Sequence, residues 1–188
     1  REARAHIEVQ RLIDSGDDPQ VSPMSAEYIR WLHHEFCRRL PSEMLWVEHP
    51  VTGTRVKVVP GEFRTGDVEV GRHVPPAADE LDAFLARFEQ AYDMQRLSRT
   101  QQIIAIAAAH HRFLWIHPFY DGNGRVARLQ SHALLLRSGV GSSVWSVARG
   151  LARSAADYKA KLAAADARRQ GDFDGRGARS AAGLEAFC

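Results

Sequence analysis

The sequence predicts a mainly helical, all-α chain with one small β element. Apolar residues recur every three or four positions over most of its length, and several of these runs open on a Ser or Thr cap and stop at Gly or Pro. Only residues 46–75 switch to an extended, β-branched pattern. Length and composition agree: 188 residues, 45% of them apolar and 9% aromatic, can bury one core of ordinary size, which argues for a single folded domain and against disorder.

The elements follow in chain order. Residues 1–13 read as an opening helix, and residues 1–21 as an N-terminal helix and linker ahead of a main domain at 22–188. Ser22 and Pro23 supply an N-cap and a first-turn proline. Ile29, Leu32, Phe36 and Leu40 then recur at helical spacing, and Pro41 ends the run. Pro75 and Pro76 precede a second helix with Leu81, Phe84, Leu85, Phe88 and Tyr92 on one side. Ser98 or Thr100 caps a longer one through Ile103, Ile104, Ala107, Ala108 and Leu114, apolar enough to be central. The run 125–137 carries Val126, Leu129, Ala133 and Leu136 on one side and meets Gly139 as a C-terminal stop. Ser154 with Asp157 makes a capping-box-like start for a helix to about Ala165. Within the β-like region, residues 55–59 are extended, and Val68, Glu69 and Val70 alternate with Arg72, His73 and Val74 around Gly71 as in a small hairpin. Flanking glycines and prolines make an unpaired surface loop an equal reading.

Charge and cysteines exclude several classes. With 25 basic and 23 acidic side chains the formal charge is only +2, too even for general nucleic-acid binding, so any anion site must be local. Cys37 and Cys188 form neither a metal spacing nor a disulfide framework; they fit a reducing compartment and inert thiols. No apolar run approaches the roughly 20 residues that cross a bilayer, and no signal-peptide pattern opens the chain, so a cytoplasmic setting without membrane is expected. The numbering opens on Arg1 without an initiator methionine and stops inside a new amphipathic run, 180–187; a longer natural protein is expected.

The most informative stretch is HPFYDGNGRVAR, from His117 to Arg128. Glycines weaken a helix and clustered cations repel, so both are unfavourable unless a ligand or a special backbone shape offsets them. Gly122, Asn123 and Gly124 directly precede the helix beginning near Arg125, and such a turn leaves backbone N–H groups pointing outward where the helix dipole favours an anion. Arg125 and Arg128, three apart, lie within roughly 60° of each other around the axis and can grip one ligand. Two guanidinium forks suit a di- or triphosphate. Asp121 repels phosphate directly but can hold Mg²⁺, which usually binds one or two carboxylates together with substrate phosphates. His117, whose unperturbed pKa is near 6.5, is the candidate base.

Each feature has a plainer rival. GNGR is neither the P-loop pattern nor the dinucleotide fingerprint, so its specificity comes from its neighbours. Phe119 reads as a core anchor for the loop and Pro118 as setting its approach angle. His110, His111 and His117 make a poor zinc set: the first two point about 100° apart on a helix, with no Cys and no HExxH. His33 and His34, adjacent on an amphipathic helix, read as surface residues.

HPFYDGNGRVAR matches the signature of the Fic family, His-x-Phe-x-Asp/Glu-Gly-Asn-Gly-Arg-x-x-Arg, at every specified position. Pro60-Gly61-Glu62-Phe63-Arg64 and the segment 68–76 resemble the family's β-hairpin flap and its approach; Ser146 to Leu151, the helix around Tyr158, and Gly171 to Gly177 resemble the downstream part of bacterial members. The resemblance implies a mainly helical Fic fold and transfer of a nucleoside monophosphate, usually AMP from ATP, to a Ser, Thr or Tyr hydroxyl of a target protein. His117 would be the general base and Asp121 would hold Mg²⁺. Gly122, Asn123 and Gly124 would bind the α-phosphate, Arg125 the β-phosphate and Arg128 the γ-phosphate. The flap, Val68, Glu69, Val70, Gly71, Arg72 and His73, would dock the target by strand addition. Tyr158 either contacts the adenine or packs between helices.

Two rivals remain: another nucleotidyl or phosphoryl transfer by the same fold, and a module that holds nucleotide or a partner without turnover. Many Fic proteins carry an inhibitory Ser/Thr-x-x-x-Glu-Gly/Asn helix whose glutamate pairs with the second motif arginine, here Arg128. No glutamate in this sequence is followed by Gly or Asn, so such a segment is expected upstream of Arg1, with a partner chain or its absence altogether as the alternatives. Removing it would make this chain faster than the longer protein.

Overall fold

The computed structural model describes residues 1–48, 53–71, 73–142, 146–166 and 181–188. Arg72 and the stretch from Gly171 to Gly177 therefore lie outside the described residues. Among those described, the helices are α1 (Glu2–Ser15), α2 (Ala26–Cys37), α3 (Leu81–Ala91), α4 (Arg99–Ile116), α5 (Asn123–Arg137), α6 (Val147–Arg153), α7 (Ala155–Ala165) and α8 (Ala181–Phe187). None is long and apolar enough to cross a membrane.

Most boundaries follow from local chemistry. Ser98 caps α4 in a full capping box, its side chain accepting from Gln101 N–H while the Gln101 side chain accepts from Ser98 N–H. Gly139, at φ 69°, ends α5 by donating to the Leu136 carbonyl, as expected of a left-handed stop. Two caps differ from the sequence reading. Ser25, not Ser22, caps α2, because the Ser22 hydroxyl accepts from Met24 N–H two residues on and shapes the preceding turn instead. Ser154 precedes α7 but makes no side-chain cap; it sits at φ −121° and ψ 38° directly after α6, outside the extended geometry an N-cap uses.

The centre of the fold is α5, not α4. Val126, Ala127, Leu129, Gln130, Ser131, His132, Ala133 and Leu134 are all buried, so α5 is covered around most of its circumference, by α1, α2, α4 and α6. One face of α4 is open, with Ile103 and Ile104 at 44% and 53% exposure, while Ile106, Ala109, Phe113 and Ile116 enter the core. Tyr28, Ile29, Leu32 and Phe36 of α2 and Ala5, Val9 and Ile13 of α1 close the other sides.

The paired strands are not at the expected hairpin. They are β1 (Trp46–Glu48) and β2 (Arg55–Lys57), antiparallel, with Val47 opposite Val56. Among the described residues of the flap only Val70 and His73 pair, each donating its N–H to the other's carbonyl at 2.9 and 3.0 Å, around Gly71 at φ 63°. Both the hairpin and the loop readings thus hold in part. Pro75 and Pro76 follow within three residues of the bridge, and the missing N–H groups stop a ladder from growing.

Candidate functional site

The motif occupies the junction between α4 and α5. His117 caps α4 in the left-handed conformation, φ 51° and ψ 60°, and it is the only non-glycine residue at positive φ among the described residues. This reversal turns the chain sharply out of α4. Its N–H donates to Phe113 O at 3.0 Å, and its carbonyl accepts from Arg64 Nε at 2.9 Å. Phe119 is buried at 0% exposure and pins the loop, as expected of a core anchor.

His117 Nδ1 lies 3.3 Å from the Leu114 carbonyl. A carbonyl oxygen only accepts, so Nδ1 carries the proton and Nε2 keeps the lone pair a base needs. Burial pushes the His117 pKa down to about 4, against the Leu114 hydrogen bond, with the charges of His73 and Arg64 adding to the fall. The ring is neutral at physiological pH.

Gly122, at φ 83°, is the N-cap of α5, and its carbonyl accepts from Arg125 N–H at 2.9 Å and Val126 N–H at 3.0 Å. The N–H groups of Asn123 and Gly124 are thereby left without an acceptor in the helix and face the dipole's positive end. The Asn123 side chain is engaged elsewhere. It is buried, its Oδ1 accepting from Phe119 N–H at 3.0 Å and its Nδ2 donating to Phe119 O at 2.8 Å, so it braces the loop and offers its backbone N–H to any anion.

Arg125 and Arg128 line one cavity of about 790 Å³, together with Tyr158 and α1 residues that include Glu2 and His6. Arg125 is paired with the Glu2 carboxylate. The Arg128 guanidinium folds over the first turn of α5: a Cβ added at Gly124 would come within 3.3 Å of its Nη1. Asp121 is exposed, and among the described residues its carboxylate has neither a hydrogen bond nor an ion pair. A free carboxylate beside a phosphate-type turn fits Mg²⁺ only together with phosphate oxygens; no group of three or more His, Cys, Asp or Glu gathers among the described residues.

One functional residue that the sequence reading placed at the surface is buried. His33 is at 0% exposure and lies flat on Phe119, ring centroids 3.8 Å apart. Its Nε2–H donates to the Asp121 carbonyl at 3.2 Å, and its Nδ1 accepts from Gly61 N–H at 2.9 Å. It therefore ties the turn before the flap to the motif loop. His34, its neighbour, is exposed as expected. Arg64 is a second brace: its guanidinium reaches the His117, Gly66 and Pro76 carbonyls, spanning both ends of the flap. The flap's His73 also points inward, donating from Nε2 to the Trp115 carbonyl at 2.7 Å, while Val70 stays 40% exposed. Cys37 is buried against His33, and burial pushes its thiol up to about 12, which makes it inert.

A helical fold that presents a histidine, a glycine turn and paired arginines in this order defines the Fic class of proteins. The profile of the Fic/DOC family matches residues 23–135, more than half of the chain, and the chain belongs to that family. Its relatives include the protein adenylyltransferase Fic of Drosophila erecta, 37% identical over 97 residues, which cover 52% of this chain and 20% of that protein. The Drosophila yakuba protein of the same name is 38% identical over the same shares of both chains. The match thus spans about a fifth of the length of these relatives. Among solved structures, a Fic family protein from Desulfovibrio desulfuricans G20 superposes with a TM-score of 0.65 at 21% identity, covering 88% of this chain and 45% of that one. A Fic domain containing signaling protein from Bacteroides thetaiotaomicron does so with a TM-score of 0.56 at 22% identity, covering 88% and 56%. These two likenesses carry the fold.

Proposed function

We propose that this chain is a protein adenylyltransferase that moves AMP from ATP to a Ser, Thr or Tyr hydroxyl of a target protein. The observation that carries the reading is the His117 ring: neutral, with Nδ1 tied to Leu114, it leaves Nε2 free at the end of α4, one short loop ahead of the glycine turn and the two arginines of α5. The names of the Drosophila relatives support it.

The steps follow from the residues. His117 Nε2 takes the proton of the target hydroxyl, whose oxygen attacks the α-phosphorus; the bond to the bridging β-oxygen breaks, and pyrophosphate leaves. The Asn123 and Gly124 N–H groups meet the α-phosphate, Arg125 the β-phosphate and Arg128 the γ-phosphate. Asp121 would hold Mg²⁺, which when bound would neutralise phosphate charge. The target strand lies along the flap from Val68 to His73 and pairs through backbone groups, so target recognition there needs no special side chain. The test is mass spectrometry of a cell extract incubated with the chain and labelled ATP. An AMP increment on a hydroxyl residue is expected; a bare phosphate or another nucleotide on the target would replace this reading with the alternative transfer.

Two further outcomes arise here. Because the His117 pKa is depressed to about 4, its neutral, base-competent form persists as pH falls through the usual histidine range near 6.5. The profile of kcat/KM against pH should therefore show no loss from His117 between pH 7 and 5, and an acid limb centred near 6.5 would contradict the buried, neutral ring. Arg125 must leave Glu2 to meet a phosphate. That pair is about a third exposed on each side, so it contributes ~1 kcal/mol or less, and Glu2→Gln should tighten ATP binding by no more than about fivefold, as read by calorimetric titration. Weaker binding in the variant would show that Glu2 aids the nucleotide.

A further inference from the structure

Behind Arg128 runs a chain of hydrogen bonds whose directions can be assigned. The Ser131 hydroxyl donates its single hydrogen to the Ala127 carbonyl at 2.8 Å, as a carbonyl can only accept. Ser131 Oγ must then accept from His110 Nδ1–H, also at 2.8 Å. His110 is buried, and burial holds it neutral, so its Nε2 carries a lone pair and must accept the Tyr158 O–H at 2.9 Å. The one hydrogen of Tyr158 is thus aimed inward, and its lone pairs remain for a donor. The Arg128 guanidinium lines the same cavity and its charge acts on the Tyr158 hydroxyl, which makes it the donor at hand for those lone pairs.

The rings keep this arrangement in place. Phe187 of α8 lies 6.1 Å from the Tyr158 ring and 6.2 Å from His110, and His110 meets Tyr158 edge-on. On its other side Arg128 lies against Gly124, where no side chain stands in its way. A guanidinium held between a glycine and an oriented hydroxyl loses less rotamer freedom when a ligand arrives than one free in solvent.

We infer that Tyr158 is a positioning residue: its hydroxyl, turned inward by His110 and Ser131, holds the Arg128 guanidinium toward the cavity and so sets the preference for a nucleoside triphosphate over a diphosphate. This rests on the nucleotide reading of the site, with Arg128 at the terminal phosphate. It gives Tyr158 a role apart from base contact or helix packing, and it makes His110, outside the cavity wall, part of nucleotide selection.

The test is the ratio of ATP to ADP affinity, measured by calorimetry on the whole chain, with no turnover required. Tyr158→Phe keeps the ring and removes only the oxygen, and the ratio should fall about five- to tenfold while ADP affinity changes by less than about twofold. In an Arg128→Ala background the same change should lower the ratio no further, because the two residues act as one unit. His110→Phe removes the acceptor behind the hydroxyl without altering the cavity wall and should give the same fall, which keeps the test valid if Tyr158→Phe folds poorly. Equal weakening of ATP and ADP would make Tyr158 a base or ribose contact and overturn the inference, as would an unchanged ratio. A wild-type chain that binds ATP no better than ADP would overturn the triphosphate reading itself, and the inference with it.

Discussion

Replacing His117 with alanine should lower AMP transfer by about 10²- to 10⁴-fold, the range a positioned general base contributes, while ATP affinity changes by less than about twofold. The split follows from the geometry. The turn amides and both arginines belong to α5, whereas His117 is the last word of α4, and its backbone bonds to Phe113 and Arg64 do not depend on the side chain. Alanine at φ 51° is strained by about 1–2 kcal/mol, so His117→Asn, which tolerates the left-handed region better, is the companion variant. Both should bind labelled ATP and neither should modify a target. Parallel loss of binding and transfer would mean that His117 holds the loop and is not the base.

The second large effect is at Asp121. Asp121→Ala, or a chelator added to the unaltered protein, should reduce turnover by about 10²-fold or more, because a metal at the phosphates supplies several kcal/mol of charge stabilisation. The fold should survive. The Asp121 side chain is exposed and unpartnered among the described residues, and the bond to His33 uses its backbone carbonyl, which alanine retains. Thermal melts of variant and parent should coincide within about 2 °C. Turnover that persists in chelator would assign Asp121 another purpose.

Much of the site was legible in the sequence because it is contiguous. The glycine turn, the arginine pair and the helix that begins beside them depend on neighbours within four residues, where φ/ψ preferences and the 3.6-residue period act. The same locality explains the Ser98 cap and the Gly139 stop. The Ser22 assignment went wrong within that range, because two serines three residues apart compete for one helix start and Ser25 has the N–H of Tyr28 in reach. For the chain's paired strands, sequence indicated the right region but the wrong pair, since pairing is a choice between segments and no single segment encodes it.

By itself the sequence determined that the chain is helical, that residues 117–128 hold a glycine turn opening onto a helix with two arginines, and that this stretch carries the Fic signature. Tertiary structure alone decided three things. It buried α5 on most sides and opened one face of α4, although α4 is the more apolar run, because coverage depends on which helices pack around them. It took His33, indistinguishable by pattern from His34, and set its two ring nitrogens on backbone groups of two distant loops. It joined Tyr158 to His110 across 48 positions and set Tyr158 in the cavity that Arg128 lines. In the last two cases the deciding quantity is whether a polar atom that leaves water finds a partner, and those partners lie far away along the chain.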